Sequence, residues 1–183
     1  MSSCMQTENQ SVLQHGISVK NYTLKIINIL KSGTIPNNYK IPDWMILYRN
    51  QIINNLLPIN IIEEYTTYHD IGKPYCLIID ENGRKHFPNH SDVSKNKWLE
   101  ISENLQVAKL IGMDMIIHTM KATDIDDFIK NQEAITLLVV ALGEIHSNAN
   151  MFGGINSDSF KIKYSQINRR GKQIVNKLFN GEI

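Results

Sequence analysis

The chain has 183 residues, with 19 Lys and Arg against 18 Asp and Glu and a formal net charge of +1. With 42% hydrophobic and 20% charged residues it can bury a core, which argues against global disorder and fits one domain over 1–183. The even charge balance argues against a generally basic nucleic-acid coat and leaves only a local basic groove open.

The N-terminal ten residues are polar, without the apolar core of a secretory signal. The first predicted helix spans Val12 to Leu30, where Val12, His15, Val19, Tyr22 and Ile26 recur at spacings of three and four. This places His15 on the inward face. Thr34 to Pro42, with two prolines and two asparagines, reads as a loop. Asp43 caps a second helix carrying Trp44, Leu47, Ile52, Ile53 and Leu56, and Pro58 interrupts it. A third helix runs from Asn60 to His69 or Asp70 and ends at Gly72 and Pro74.

Tyr75 to Ile79 is short and apolar, and Asp80–Gly83 follows as a turn. Ser91 or Asp92 caps the next helix, expected to bury Val93, Trp98, Ile101, Leu105, Ala108 and Ile111. Short helices follow over Met113–Met120 and Asp124–Asn131. The segment Glu133–Asn150 is the most apolar and is expected to lie centrally. A last, basic helix starts at Ser157 or Ser159 and runs over about 157–180. No apolar run reaches the roughly 20 residues of a membrane span. Two cysteines, Cys4 and Cys76, cannot build a disulfide framework and point to a reducing, cytoplasmic setting. The reading is all-α with a short extended excursion near residues 72–90.

Six histidines supply candidate chemistry: His15, His69, His86, His90, His118 and His146. His69-Asp70 stands at a helix end where Gly72 and Pro74 allow a sharp turn. The pair offers a neutral nitrogen and an anionic oxygen to a divalent ion. Lys73 follows within reach of a phosphate beside that ion. His86 reads as a structural residue at the turn.

The order His15, His69-Asp70, His90, His118 resembles the HD-domain superfamily of metal-dependent phosphohydrolases. Gln14-His15-Gly16-Ile17-Ser18-Val19 looks like that family's first-helix histidine. His69-Asp70-Ile71-Gly72-Lys73-Pro74 looks like its name-giving motif. Asp80 to His90 is similar to the stretch that follows in the HD domains of tRNA nucleotidyltransferases and HD-containing polynucleotide kinase/phosphatases. The resemblance covers about residues 10–150 and implies an HD-type helical bundle. It implies His15, His69 and Asp70 as primary ligands of a divalent Mn, Ni, Co, Fe or Zn ion. His90 and His118 would bind a second ion, contact the phosphate or protonate the leaving oxygen. Lys73 would neutralise charge on the phosphate.

HD domains usually close the site with an aspartate on a later central helix. The matching segment, Ala141 to Asn150, contains none. Glu144, His146, Asn148 or Asp158 are the candidates, with His146 favoured because imidazole binds these metals better than an amide carbonyl. The implied activity is hydrolysis of a phosphate ester of a nucleotide or an RNA end, either a phosphomonoester or a 2′,3′-cyclic phosphate. The alternatives are a non-catalytic HD module that binds a nucleotide or RNA, and a nucleoside di- or triphosphate hydrolase. The last helix, with Lys161, Lys163, Tyr164, Arg169, Arg170 and Lys172, is either a nucleic-acid track or a solvated face closing the bundle over Ile162, Ile167, Ile174 and Leu178.

Overall fold

A computed structural model describes residues 1–7 and 9–179. The expected end of the last helix, residue 180, lies outside the described residues. Among the described residues the fold is all-α apart from two small hairpins. Among the described residues no helix is long and apolar enough to cross a membrane.

Residue contacts divide the chain into two compact units. The first unit combines Met1–Lys20 with Pro58–Met115, and the second combines Asn21–Leu57 with Ile116–Ile183. Each unit is assembled from two separate chain segments. No linker composition can mark such a division, because the boundaries fall inside helix α1 (Val12–Ser32) and between short elements.

In the first unit, β1 (Met5–Thr7) pairs antiparallel with β2 (Gln10–Ser11), Met5 opposite Ser11. Helix α1 follows at once. Its start is fixed by a reciprocal cap: Gln14 N–H donates to Ser11 Oγ (3.2 Å) and Ser11 N–H donates to Gln14 Oε1 (2.8 Å). Helix α4 (Ile59–Tyr68) buries Ile62, Tyr65 and Thr66. Tight turns then lead into the 3-10 segment Lys73–Tyr75 and a hairpin of β3 (Ile78–Ile79) with β4 (Lys85–His86).

Helices α5 (His90–Leu99) and α6 (Leu105–Gly112) stand where one continuous helix was expected. Asn104 breaks the run by accepting the Val107 N–H at 3.2 Å and capping α6. As a result Ile101 and Leu105, expected in the core, are 67% and 71% exposed. Helix α6 packs against both α5 and α4.

The second unit holds the remainder of α1, then α2 (Asp43–Leu47) and α3 (Arg49–Asn54). These two replace one expected helix. The chain bends at Tyr48, which keeps Trp44, Tyr48 and Ile52 buried and leaves Leu47 exposed. Short helices α7 (Ile116–Thr119) and α8 (Ile125–Phe128) precede α9 (Ala134–Met151). Helix α9 is buried on nearly every side, as its composition predicts, and packs on α10 (Asp158–Phe179). On α10, Ile167 and Ile174 are buried, whereas Ile162 is exposed.

Candidate metal centre

The first unit gathers five of the residues singled out in the sequence. Asp70, 1% exposed, is the hub. Its Oδ2 lies 3.2 Å from His69 Nε2, 3.7 Å from His15 Nε2 and 2.6 Å from Lys73 Nζ. Its Oδ1 lies 3.8 Å from His90 Nε2. Among the described residues, His15, His69 and Asp70 form the group of potential metal ligands, with one donor atom from each within 4.8 Å of the others.

Local structure dictates this convergence. His69 is the C-cap of α4, and its Nδ1–H donates to the Thr66 carbonyl at 2.8 Å. That bond fixes the tautomer and leaves Nε2 as the nitrogen facing Asp70, the arrangement metal-binding histidines use. His90 repeats the device, with Nδ1 3.1 Å from the Phe87 carbonyl. Asn89, just before it, adopts φ 51°, a left-handed conformation that asparagine tolerates better than most residues. The sharp chain reversal there delivers His90 at the first turn of α5.

Two glycines permit the close packing behind the site. A Cβ on Gly16 would stand 2.1 Å from the Thr67 carbonyl oxygen, so only glycine lets α1 press onto the end of α4 beside His15. A Cβ on Gly72 would meet the Ser94 backbone nitrogen at 2.3 Å. Gly72 N–H also donates to Ser94 Oγ at 2.9 Å, which clamps the turn after Asp70 to α5.

Burial alone would raise the Asp70 pKa, but the positive potential of His69, Lys73 and His15 outweighs it and holds the carboxyl well below the usual carboxylate range. Asp70 is therefore an anion at neutral pH. Lys73 stands at ion-pair distance, yet neither carboxylate oxygen accepts a well-directed hydrogen bond. A buried anion with such incomplete pairing is suited to a cation. Donor atoms bound to one ion at about 2.1 Å lie about 3.0–3.4 Å apart. The 3.2 Å and 3.7 Å separations at Oδ2 are near that spacing. The donor set, two imidazoles and one carboxylate, fits a borderline divalent ion.

Lys73 is buried and held from two further sides: Gln6 Oε1 accepts from its ammonium at 3.2 Å, and the Phe87 ring centroid lies 5.3 Å away. Neither neighbour was anticipated from the sequence.

The other candidate ligands, His118, Glu144, His146, Asn148 and Asp158, belong to the second unit. His118, on α7, has Nε2 2.9 Å from Glu144 Oε2, and both side chains are partly exposed. His146 corrects the sequence expectation of a metal ligand. Its Nδ1–H donates to the Leu142 carbonyl at 2.8 Å, and its Nε2 accepts the Lys40 N–H at 3.1 Å. Both nitrogens are thus committed, within a ring stack of Tyr39, Tyr22 and Phe160. Burial lowers its pKa and keeps the ring neutral. Glu144 is engaged by His118, and Asp158 is an exposed partner of Lys161. Asn148 lines a small crevice with Phe152 and Phe160. His86 is exposed and bonds Asp80 at 2.8 Å at the hairpin tip.

Along α10, Lys163, Arg169 and Lys172 are exposed, while Arg170 donates to the carbonyls of Ile117 and His118 at 3.0 Å each. The chain matches no family model, and no curated protein or solved structure is significantly similar to it.

Proposed function

We propose that the protein is an HD-type metal-dependent phosphohydrolase acting on a phosphate ester of a nucleotide or an RNA end, a phosphomonoester or a 2′,3′-cyclic phosphate. The observation that carries this reading is the convergence of His15 and His69 on the buried Asp70 carboxylate. The ordered motif His15, His69-Asp70, Lys73, His90 supports it, since those residues lie together in one unit.

His15, His69 and Asp70 would hold one ion, with Mn, Ni, Co, Fe and Zn all suited to the donors. When bound, such an ion supplies a water acidified toward neutral pH and polarises a phosphoryl oxygen. The chain's own residues do the rest. The Thr66 carbonyl keeps the His69 Nε2 lone pair turned inward. Lys73 brings a positive charge for the phosphate oxygens. His90, held by the Phe87 carbonyl, presents Nε2 either as a proton donor to the leaving oxygen or as a ligand of a second ion.

The test is phosphate release from generic phosphate esters and from phosphorylated or cyclic-phosphate oligonucleotides, with and without chelator. Activity should require metal and vanish in His69→Ala and Asp70→Ala; full activity in either variant rejects the proposal. A second reading, a non-catalytic HD module that binds a nucleotide or RNA, draws on the commitment of both His146 nitrogens in a helix segment without an aspartate. Ligand binding without bound metal or turnover across that panel would favour it. A nucleoside di- or triphosphate hydrolase is separated by comparing nucleotides with the oligonucleotides.

A further inference from the structure

Lys73 occupies a position that a phosphate-binding lysine alone does not require. Its ammonium lies 2.6 Å from Asp70 Oδ2, the same oxygen that faces His69 Nε2 at 3.2 Å and His15 Nε2 at 3.7 Å. An ion shared by these three ligands would bind that oxygen. An ammonium held at that oxygen weakens it as a ligand for a divalent cation, because the two positive charges repel in a site that is nearly dry. Equally, a buried Asp70 with neither cation would be an uncompensated anion. The two cations therefore compete for Asp70.

We propose that Lys73 is an exchangeable counter-cation: it neutralises Asp70 until a divalent ion enters, and it then leaves Oδ2. The inference rests on the metal-centre reading above and adds how that centre fills. The expelled ammonium is not lost to bulk water, because Gln6 Oε1 at 3.2 Å and the Phe87 ring at 5.3 Å keep it beside the site. There it is a positive charge seeking an anion. A phosphate that captures it makes its removal from Asp70 less costly. Metal and phosphate therefore help each other bind, and linkage requires the same factor in both directions. The predicted state with neither ligand is a closed ion pair that resists filling by metal alone.

The experiment is calorimetric titration of Mn2+ into the full chain and into Lys73→Met, each with and without inorganic phosphate. Without phosphate, Lys73→Met should bind Mn2+ roughly tenfold or more tighter than wild type, since no ammonium has to be displaced. In wild type, phosphate should strengthen Mn2+ binding several-fold, and Mn2+ should strengthen phosphate binding by the same factor. That mutual gain should shrink in Lys73→Met to what direct contact between the ion and phosphate supplies. Binding to wild type that is unchanged by phosphate, or equal or weaker Mn2+ binding in Lys73→Met, overturns the exchange while leaving the metal centre standing. Failure of every protein to bind Mn2+, or any of the other candidate ions in its place, overturns the metal centre and the exchange with it. If Lys73→Met does not fold, Lys73→Gln, which also removes the charge, takes its place in the same titrations with the same expected and overturning results.

Discussion

Gly16→Ala adds one methyl group at the place where α1 meets the end of α4. The new Cβ would lie 2.1 Å from the Thr67 carbonyl oxygen and 2.8 Å from its carbon. An ordinary carbon–oxygen contact is about 3.3 Å, so the two backbones must separate by about 1.2 Å. No rotamer change relieves a clash between a Cβ and a carbonyl. Two effects compete. Alanine favours a helix over glycine by about 1 kcal/mol, and overpacking of this kind costs about 1–3 kcal/mol. Because both colliding partners are fixed to backbone, the cost should sit toward the upper end, giving a net loss of about 1–2 kcal/mol.

The displacement matters more at the site. His15 precedes Gly16, and the neighbouring Thr66 carbonyl, 3.2 Å from the same Cβ, holds His69. A metal ligand set works within about 0.5 Å of its best geometry. A shift of this size should weaken Mn2+ binding by about 10–100-fold, the loss typical when the support of a ligand is disturbed. Urea denaturation and calorimetric titration measure the two effects separately. A Gly16→Ala protein with wild-type stability and wild-type Mn2+ affinity would refute the claim that this approach positions His15.

Other substitutions probe the remaining supports. Ser11→Ala removes half of the reciprocal cap on α1 and should cost about 0.5–2 kcal/mol in urea denaturation; no loss would show that the cap does not set the helix start. Asn89→Val places a β-branched residue at φ 51° and should destabilise by about 1–2 kcal/mol, whereas Asn89→Gly should be tolerated; equal stabilities would contradict the assigned backbone. His146 has a folded-state pKa held below its unfolded value by burial, so it binds protons less readily when folded. Its contribution is complete above the ordinary histidine pKa of about 6.5 and is lost as pH falls from there toward the folded value. Stability of the wild type should therefore fall as pH drops below about 6.5. His146→Phe should flatten that dependence without changing Mn2+ binding, and a lost Mn2+ site in that variant would restore His146 as a ligand.

The long amphipathic segments were legible because their periodicity survives in the fold: α1 carries His15 inward, α9 is buried nearly all round, and α10 starts within a residue of its expected cap. His69 and Asp70 were legible for a local reason, since the glycine and proline after them force the turn that aims both at one point. What escaped the sequence depends on partners far away in the chain. His146 looks like a ligand until the Lys40 N–H, 106 residues distant, takes its second nitrogen. Gln6 belongs to a polar N-terminus with no pattern of its own and gains a role only through Lys73. The split of the 92–111 helix turned on Asn104 acting as a cap, which outweighed the apolar spacing of Ile101 and Leu105. The two-unit division is hidden because each unit is built from two segments.

His15, His69 and Asp70 are proposed to hold a divalent ion. Metal analysis of the protein equilibrated with Mn2+ and freed of excess tests it most directly, alongside Asp70→Asn, which keeps the shape and removes the charge. The wild-type chain should hold one or two ions, and Asp70→Asn should lose the His15–His69–Asp70 ion. Wild-type protein without bound metal, or an Asp70→Asn protein that retains the full complement, would contradict it.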